Sequence, residues 1–362
     1  MKKYLLSIAA LLLGLLAHSQ EADDLGNNYA EVSIIPRLDL NPAWYSEGFE
    51  FTLGSSSLYT LFEGSASEHF SWTVANHWFD GNSFLGPNAD AWDLFKALGY
   101  SDSNNFIDML YADLKFGGWT FTLGKQCITT GGHEYDDWDW EVHSNLASPL
   151  WNDLACYQWG GKVAWTTPSE MTTFSLQMTS SPFGERPFSS GLWCYSFQWS
   201  GDYDWFSPLW SVSAFGKEAP EVSSAPRDYS FVVSLGNTFS FGDWTIGLDW
   251  SNVAGLNYFY TDFLKGNIFH GLAKLEPSDR WAFSLQGNYV HINNKGRYYT
   301  HDALDPWLSY WDLGAVAHFY PLRDSKDLRL HASAKLGSVA KEAPSAFELS
   351  VGILYNLKFR LW

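Results

Sequence analysis

The chain has 362 residues, of which 17% are charged and 18% aromatic, with 20 tryptophans. Its formal charge of −18 excludes the basic balance of a nucleic-acid-binding surface, so no nucleic-acid partner is expected. Its three cysteines, Cys127, Cys156 and Cys194, are an odd number and cannot all pair in a disulfide framework.

The N-terminus carries an export pattern. Lys2 and Lys3 precede an apolar run over residues 4–17, and Ala17-His18-Ser19 has the small-x-small spacing of a signal peptidase site. Residues 1–19 read as a signal peptide and residues 20–362 as one domain. Removing two lysines from −18 leaves −20. No later apolar run is long enough for a membrane helix. The aromatic content then fits either two girdles at lipid interfaces or a carbohydrate-binding surface.

The first strand pattern spans residues 31–40, where Val32, Ile34, Pro36 and Leu38 alternate with Ser33, Arg37 and Asp39. Such a period of two marks a strand with one apolar and one polar face. A loop is expected at 41–48. Residues 49–60 and 69–78 read as a hairpin turning at Gly64-Ser65. Between 79 and 105 the alternation stops, and Trp92, Phe95 and Leu98 followed by Gly99 predict a short helix over 89–98 in an external loop. Leu110, Ala112, Leu114 and Phe116 then share a face opposite Asp113 and Lys115. The chain turns at Gly117-Gly118 and returns with Trp119, Phe121 and Leu123 on one face. A long polar and aromatic segment, 129–153, follows. Cys127 and Cys156 flank it, and a disulfide across its base is one option.

Further alternating runs occupy 155–166, 172–180, 191–199, 205–217, 229–238, 244–251, 267–275, 281–291, 311–320 and 328–337. The last is the most regular. Phe347, Leu349, Val351, Ile353, Tyr355, Leu357, Phe359 and Leu361 take every second place before Trp362. About sixteen strands result, joined alternately by short turns near 64, 117, 168, 202, 241, 278 and 323 and by longer loops. A soluble sandwich also alternates, but it does not need this many Trp-rich strands. The fold class expected is all-β: a transmembrane antiparallel β-barrel of about sixteen strands, closed because lipid cannot satisfy an open backbone edge.

Sixteen strands leave an aqueous channel. Its expected wall carries Arg37, Asp113, Lys115, Lys162, Asp249, Arg329, Lys335, Glu348, Lys358 and Arg360. The segment 129–153 is the expected constriction, through His133, Glu134, Asp136, Asp137, Trp138, Asp139, Trp140, Glu141 and His143. Its acids oppose a basic wall, a field that favours small cations. Its tryptophans offer flat faces to sugar rings or bury the loop against the wall. The spacings His133/Asp137 and Asp139/His143 lack a complete ligand set, so no metal or cofactor is expected. His331 beside Ser333 is too little for a triad, and no catalytic role is expected.

The run YADLKFGGWTFTLGKQ resembles the hairpin that precedes the constriction loop in bacterial porins. GGHEYDD after it resembles porin-like proteins of Bacteroidetes. More distantly, the Gly-Lys-Gln strand end is similar to that of phosphate-selective and alginate-export barrels, although this chain lacks the abundant lumen Arg and Lys of anion-selective members. The resemblance covers roughly residues 104–165. It implies a passive porin in the outer membrane of a Gram-negative bacterium. Its partners would be outer-membrane lipids and lipopolysaccharide, the barrel-assembly machinery and small hydrophilic solutes or sugars, with a homotrimer as one expected assembly. The alternatives are a barrel for polysaccharide export or surface-glycan assembly, and an outer-membrane hydrolase.

Overall fold

The structure is a computed structural model that describes residues 28–361 apart from 46–47, 54–55, 81–106, 139, 144, 155, 184–187, 189–190, 219–226, 255–264, 293–308 and 340–344. The signal peptide and the helix expected over 89–98 lie outside the described residues.

The strand segments are β1 (Tyr29–Tyr45), β2 (Gly48–Thr52), β3 (Ser57–Ser67), β4 (Phe70–Asp80), β5 (Met109–Phe116), β6 (Trp119–Cys127), β7 (Tyr157–Thr166), β8 (Thr172–Ser180) and β9 (Trp193–Gly201). They continue as β10 (Phe206–Glu218), β11 (Arg227–Phe241), β12 (Trp244–Ala254), β13 (Lys265–Ser278), β14 (Trp281–Ile292), β15 (Tyr310–Phe319), β16 (Leu328–Val339), β17 (Ser345–Tyr355) and β18 (Leu357–Arg360). Each pairs antiparallel with its neighbours, and β1 pairs on one side with β2 and β3 and on the other with β17 and β18. β2 and β3 lie end to end, as do β17 and β18. The sheet therefore closes as a sixteen-stranded antiparallel barrel.

The outside is apolar. Leu123 and Leu176 are 63% and 64% exposed, and the alternating set from Phe347 to Leu361 faces outward as the period of two requires. Inward positions hold Ser33, Ser196, Ser211, Ser213, Ser234, Ser333 and Ser350, all buried. Aromatic rings gather at both ends of the outer wall. At the short-turn end Trp119 meets Trp165 (6.3 Å), Trp205 meets Phe239 (6.0 Å) and Trp281 meets Phe319 (4.7 Å). At the other end Trp44 meets Phe49 (5.3 Å) and Phe347 (5.8 Å). Such girdles mark the two interfaces of a bilayer.

Two expected connections differ. The turn expected at Gly64-Ser65 lies instead at Glu68-His69, because Gly64 sits inside β3 beneath the Trp72 indole. The loop expected at 41–48 is strand: β1 runs on to Tyr45 and meets β2 after two residues. Pro42 is tolerated there opposite Phe51 near the barrel rim. A one-residue excess in the partner follows, four residues (53–56) facing three (38–40), and the Ser56 hydroxyl bridges it by accepting from Asp39 N (2.8 Å).

Candidate pore constriction

The segment after β6 turns into the barrel and crosses it. Residues 129–153 contain a 3-10 turn, His133–Asp136, and a short helix α1 (Pro149–Asp153). Ser148 caps α1, its hydroxyl accepting from Trp151 N at 3.4 Å, and Pro149 supplies the fixed φ of the first turn. Entry is set by Gly131 and Gly132. Gly131 has φ +76°, and a Cβ at Gly132 would press on the Asp249 carboxylate at 2.6 Å. Gly236 on β11 completes the close approach, since its own Cβ would lie 2.8 Å from the Gly132 Cα.

Hydrogen bonds tie the segment to inward side chains around the wall. Thr129 N donates to Gln177 Oε1 (2.7 Å), and the Ser211 hydroxyl donates to Gly131 O (2.8 Å). His133 Nε2 donates to Ser207 O (2.8 Å), and Glu134 N donates to Asp249 Oδ2 (2.9 Å). Asn288 Nδ2 donates to Leu146 O (2.8 Å). Arg37 donates to Val142 O (2.8 Å) and Trp140 O (3.3 Å), and Arg329 donates to the same Trp140 O (3.0 Å). The loop backbone has no strand partner here, so guanidinium donors take that place.

Two apolar clusters flank these bonds. Tyr135, Leu150 and Leu154 pack on Phe215, Val232, Val253, Ile268 and Val290, which point inward from β10 to β14. Trp140 packs across the lumen on Ile35, Tyr59, Leu61 and Leu354. These wall residues were missed in the sequence. Their signal is an apolar side chain at a lumen position, such as Leu354 between Gly352 and Asn356.

The expected site residues therefore separate into two sets. His133, Glu134, Trp140 and His143 are anchors, held by Ser207, Asp249, Tyr59 and His318 respectively. Arg37 and Arg329, expected as open basic wall, are only 5% and 3% exposed and are engaged by the loop. Arg37 also pairs with buried Asp39 (2.8 Å), whose other oxygen meets His331 Nε2 (2.8 Å). His331 is thereby turned to Asp39 rather than to Ser333. Asp136, Asp137 and Glu141 remain exposed, with Trp138 half-buried beside them. Glu141 reaches Arg329 at 3.4 Å. Asp139 lies outside the described residues.

Of the remaining wall residues, Lys162 lines a cavity of about 170 Å³ beside Asp136, Asp137 and Trp138. Lys115 and Arg360 line a vestibule of about 630 Å³ at the short-turn end. Asp113 accepts from Thr122 (2.5 Å), Lys335 lies 3.9 Å from Glu348, and Lys358 pairs with Asp327 (2.8 Å).

Burial, and then charge crowding, alters the loop acids. The Asp137 carboxylate touches solvent, yet it is enclosed by the barrel and faces Asp136, Glu141 and Glu134; this holds its pKa at about 7. Burial, relieved in part by His270 and Ser148, raises that of Glu134. Burial first, then Arg37, His331, Arg329 and His318, pushes His143 well below the ordinary imidazole range. The three cysteines are unbridged, so the loop base carries no disulfide. Among the described residues no group of three or more His, Cys, Asp or Glu is arranged for a metal ion. His133 and His143 lie against different walls, β10 and β15.

No family model matches the chain, and no curated relative does. Solved structures do match. The outer membrane channel DcaP of Acinetobacter baumannii is similar at 10% identity and TM-score 0.58, over 92% of this chain and 99% of that one. Salmonella typhi OmpF aligns at 10% identity and TM-score 0.59, over 92% and 98%. The chain has the fold of an outer-membrane porin. Pseudomonas putida OprB (10% identity, TM-score 0.57) covers 91% and 94%, and a trimer form of OmpT from Vibrio cholerae (11%, 0.52) covers 91% and 99%. Closed barrel, apolar belt and paired girdles are the architecture of a Gram-negative outer-membrane protein.

Proposed function

We propose that the protein is a passive porin that lets small hydrophilic solutes diffuse across the outer membrane, narrowed by its acidic, aromatic inward segment 129–153. One observation carries this reading. The segment is pinned inside a sixteen-stranded barrel while Asp136, Asp137 and Glu141 stay exposed to the space beside it. The barrel supplies the water path, and the acids favour small cations over anions. No catalytic role belongs to this reading. The GGHEYDD motif supports a Bacteroidetes-type porin. Lipopolysaccharide at the outer girdle, the barrel-assembly machinery during insertion and a homotrimeric state are the partners it implies. The test is conductance in planar bilayers and swelling of liposomes in sugars of increasing size. Open, cation-preferring channels and a sharp size limit are expected. A barrel that inserts and conducts nothing overturns the proposal.

A further inference from the structure

The cavity of about 170 Å³ between the loop and β5 to β10 differs from the rest of the lumen. One side is aromatic. Trp138, half-buried and stacked on Trp140 (4.6 Å, 18° between planes), lines it together with Trp151. A second side is acidic, with Asp136 and Asp137 both exposed; Lys162 lines the same space, and Lys274 also acts on Asp137. Thr130 lines it as well, a residue only 3% exposed whose buried hydroxyl has no hydrogen-bond partner. A buried hydroxyl left unpaired is costly unless something entering the cavity completes it. An apolar cavity of about 150 Å³ holds a benzene ring, so the volume suits one six-membered ring with a small head group.

Ring faces attract cations through their quadrupole, and the acids that act on Asp137 (Asp136, Glu141 and Glu134) outnumber the cation that does, Lys274. We propose that this cavity is a binding subsite for small organic ammonium ions: a ring or short hydrocarbon body against Trp138, the ammonium head between Asp136 and Asp137, and Thr130 completing the polar end. The proposal rests on the reading of the lumen as a solute path and names the solute class retained there. Crowding of acids on Asp137 is relieved when the ammonium arrives, which makes occupancy and ionisation of that carboxylate mutually reinforcing. A neutral sugar would use the ring face but leave the net charge uncompensated.

Benzylammonium is the probe, with benzyl alcohol and benzoate as isosteric controls, measured by titration calorimetry on the full barrel in detergent and by current interruptions in planar bilayers. Saturable calorimetric binding of benzylammonium is expected, at least tenfold tighter than benzyl alcohol, with no binding of benzoate. The double variant Asp136→Asn/Asp137→Asn should weaken it at least tenfold, Trp138→Ala at least fivefold, and Trp138→Phe far less than Trp138→Ala. Heat-modifiable mobility checks that each variant is folded. Benzyl alcohol binding as well as benzylammonium, or a folded double variant binding like the parent, overturns the subsite. A glucoside that binds while benzylammonium does not also overturns it. Conductance in potassium chloride is read separately, so a silent channel refutes the porin reading, while calorimetry decides the subsite independently.

Discussion

Arg37 and Arg329 place two guanidinium groups on one loop carbonyl, Trp140 O. Truncating one member of a buried ion pair costs about 3–5 kcal/mol, because its partner stays buried and uncompensated. Arg37→Met should lower the midpoint of urea unfolding and raise current noise, because Asp39 is left facing His331 alone. Gly352 belongs to the same cluster. A Cβ there would collide with the Asp39 carboxylate and the His331 ring, so Gly352→Ala should reproduce the noise without removing a charge. Asp137 carries a separate prediction. Its pKa is raised to about 7, so it holds its proton below that value and loses it above. Cation preference should therefore rise as pH passes upward through 7, and Asp137→Asn should flatten the profile measured by reversal potential. The sequence placed Arg37, Asp39 and Arg329 in the lumen by parity alone. It did not separate a charge that faces water from one consumed by the loop backbone, because that distinction depends on contacts such as Arg37 to Val142, 105 residues apart.

Strands were legible because lipid enforces the period of two along every one of them. Trp119, Phe121 and Leu123 on β6 and the alternating residues of β17 and β18 lie on the outer face as read. Misreadings occurred where another contact overrides a local turn signal, as at Gly64 under Trp72. The path of the inward segment was only partly legible. Its acids and tryptophans marked it, but its seat is made by inward apolar residues such as Phe215, Val232 and Leu354, which read singly as breaks in a polar face. Deleting residues 133–143 should raise single-channel conductance, and unchanged conductance would show that the path runs elsewhere. Because the deletion also uncovers both apolar clusters, the variant should lose heat-modifiable mobility at a lower temperature than the parent.

At the scale of the barrel, both described termini and the short turns share one end. The periplasm is the expected location of that end. Gly242→Cys, in the turn between β11 and β12, should resist a membrane-impermeant thiol reagent added to intact cells. Glu50→Cys, exposed at the opposite rim, should react. The reverse pattern would invert the barrel. The native cysteines set the background, and the parent protein is the control.

The shared carbonyl of Trp140 has a consequence for the order of assembly. Arg37 stands on the first strand and Arg329 on β16, with β17 between them, so the two anchors straddle the place where the sheet joins its ends. His331 and Asp39 cross the same join, 292 residues apart in the chain. Contacts of such separation form late and slowly. A segment from the middle of the chain is thus held at once by the first and penultimate staves, so this part of its seat is complete only once those staves stand side by side with β17.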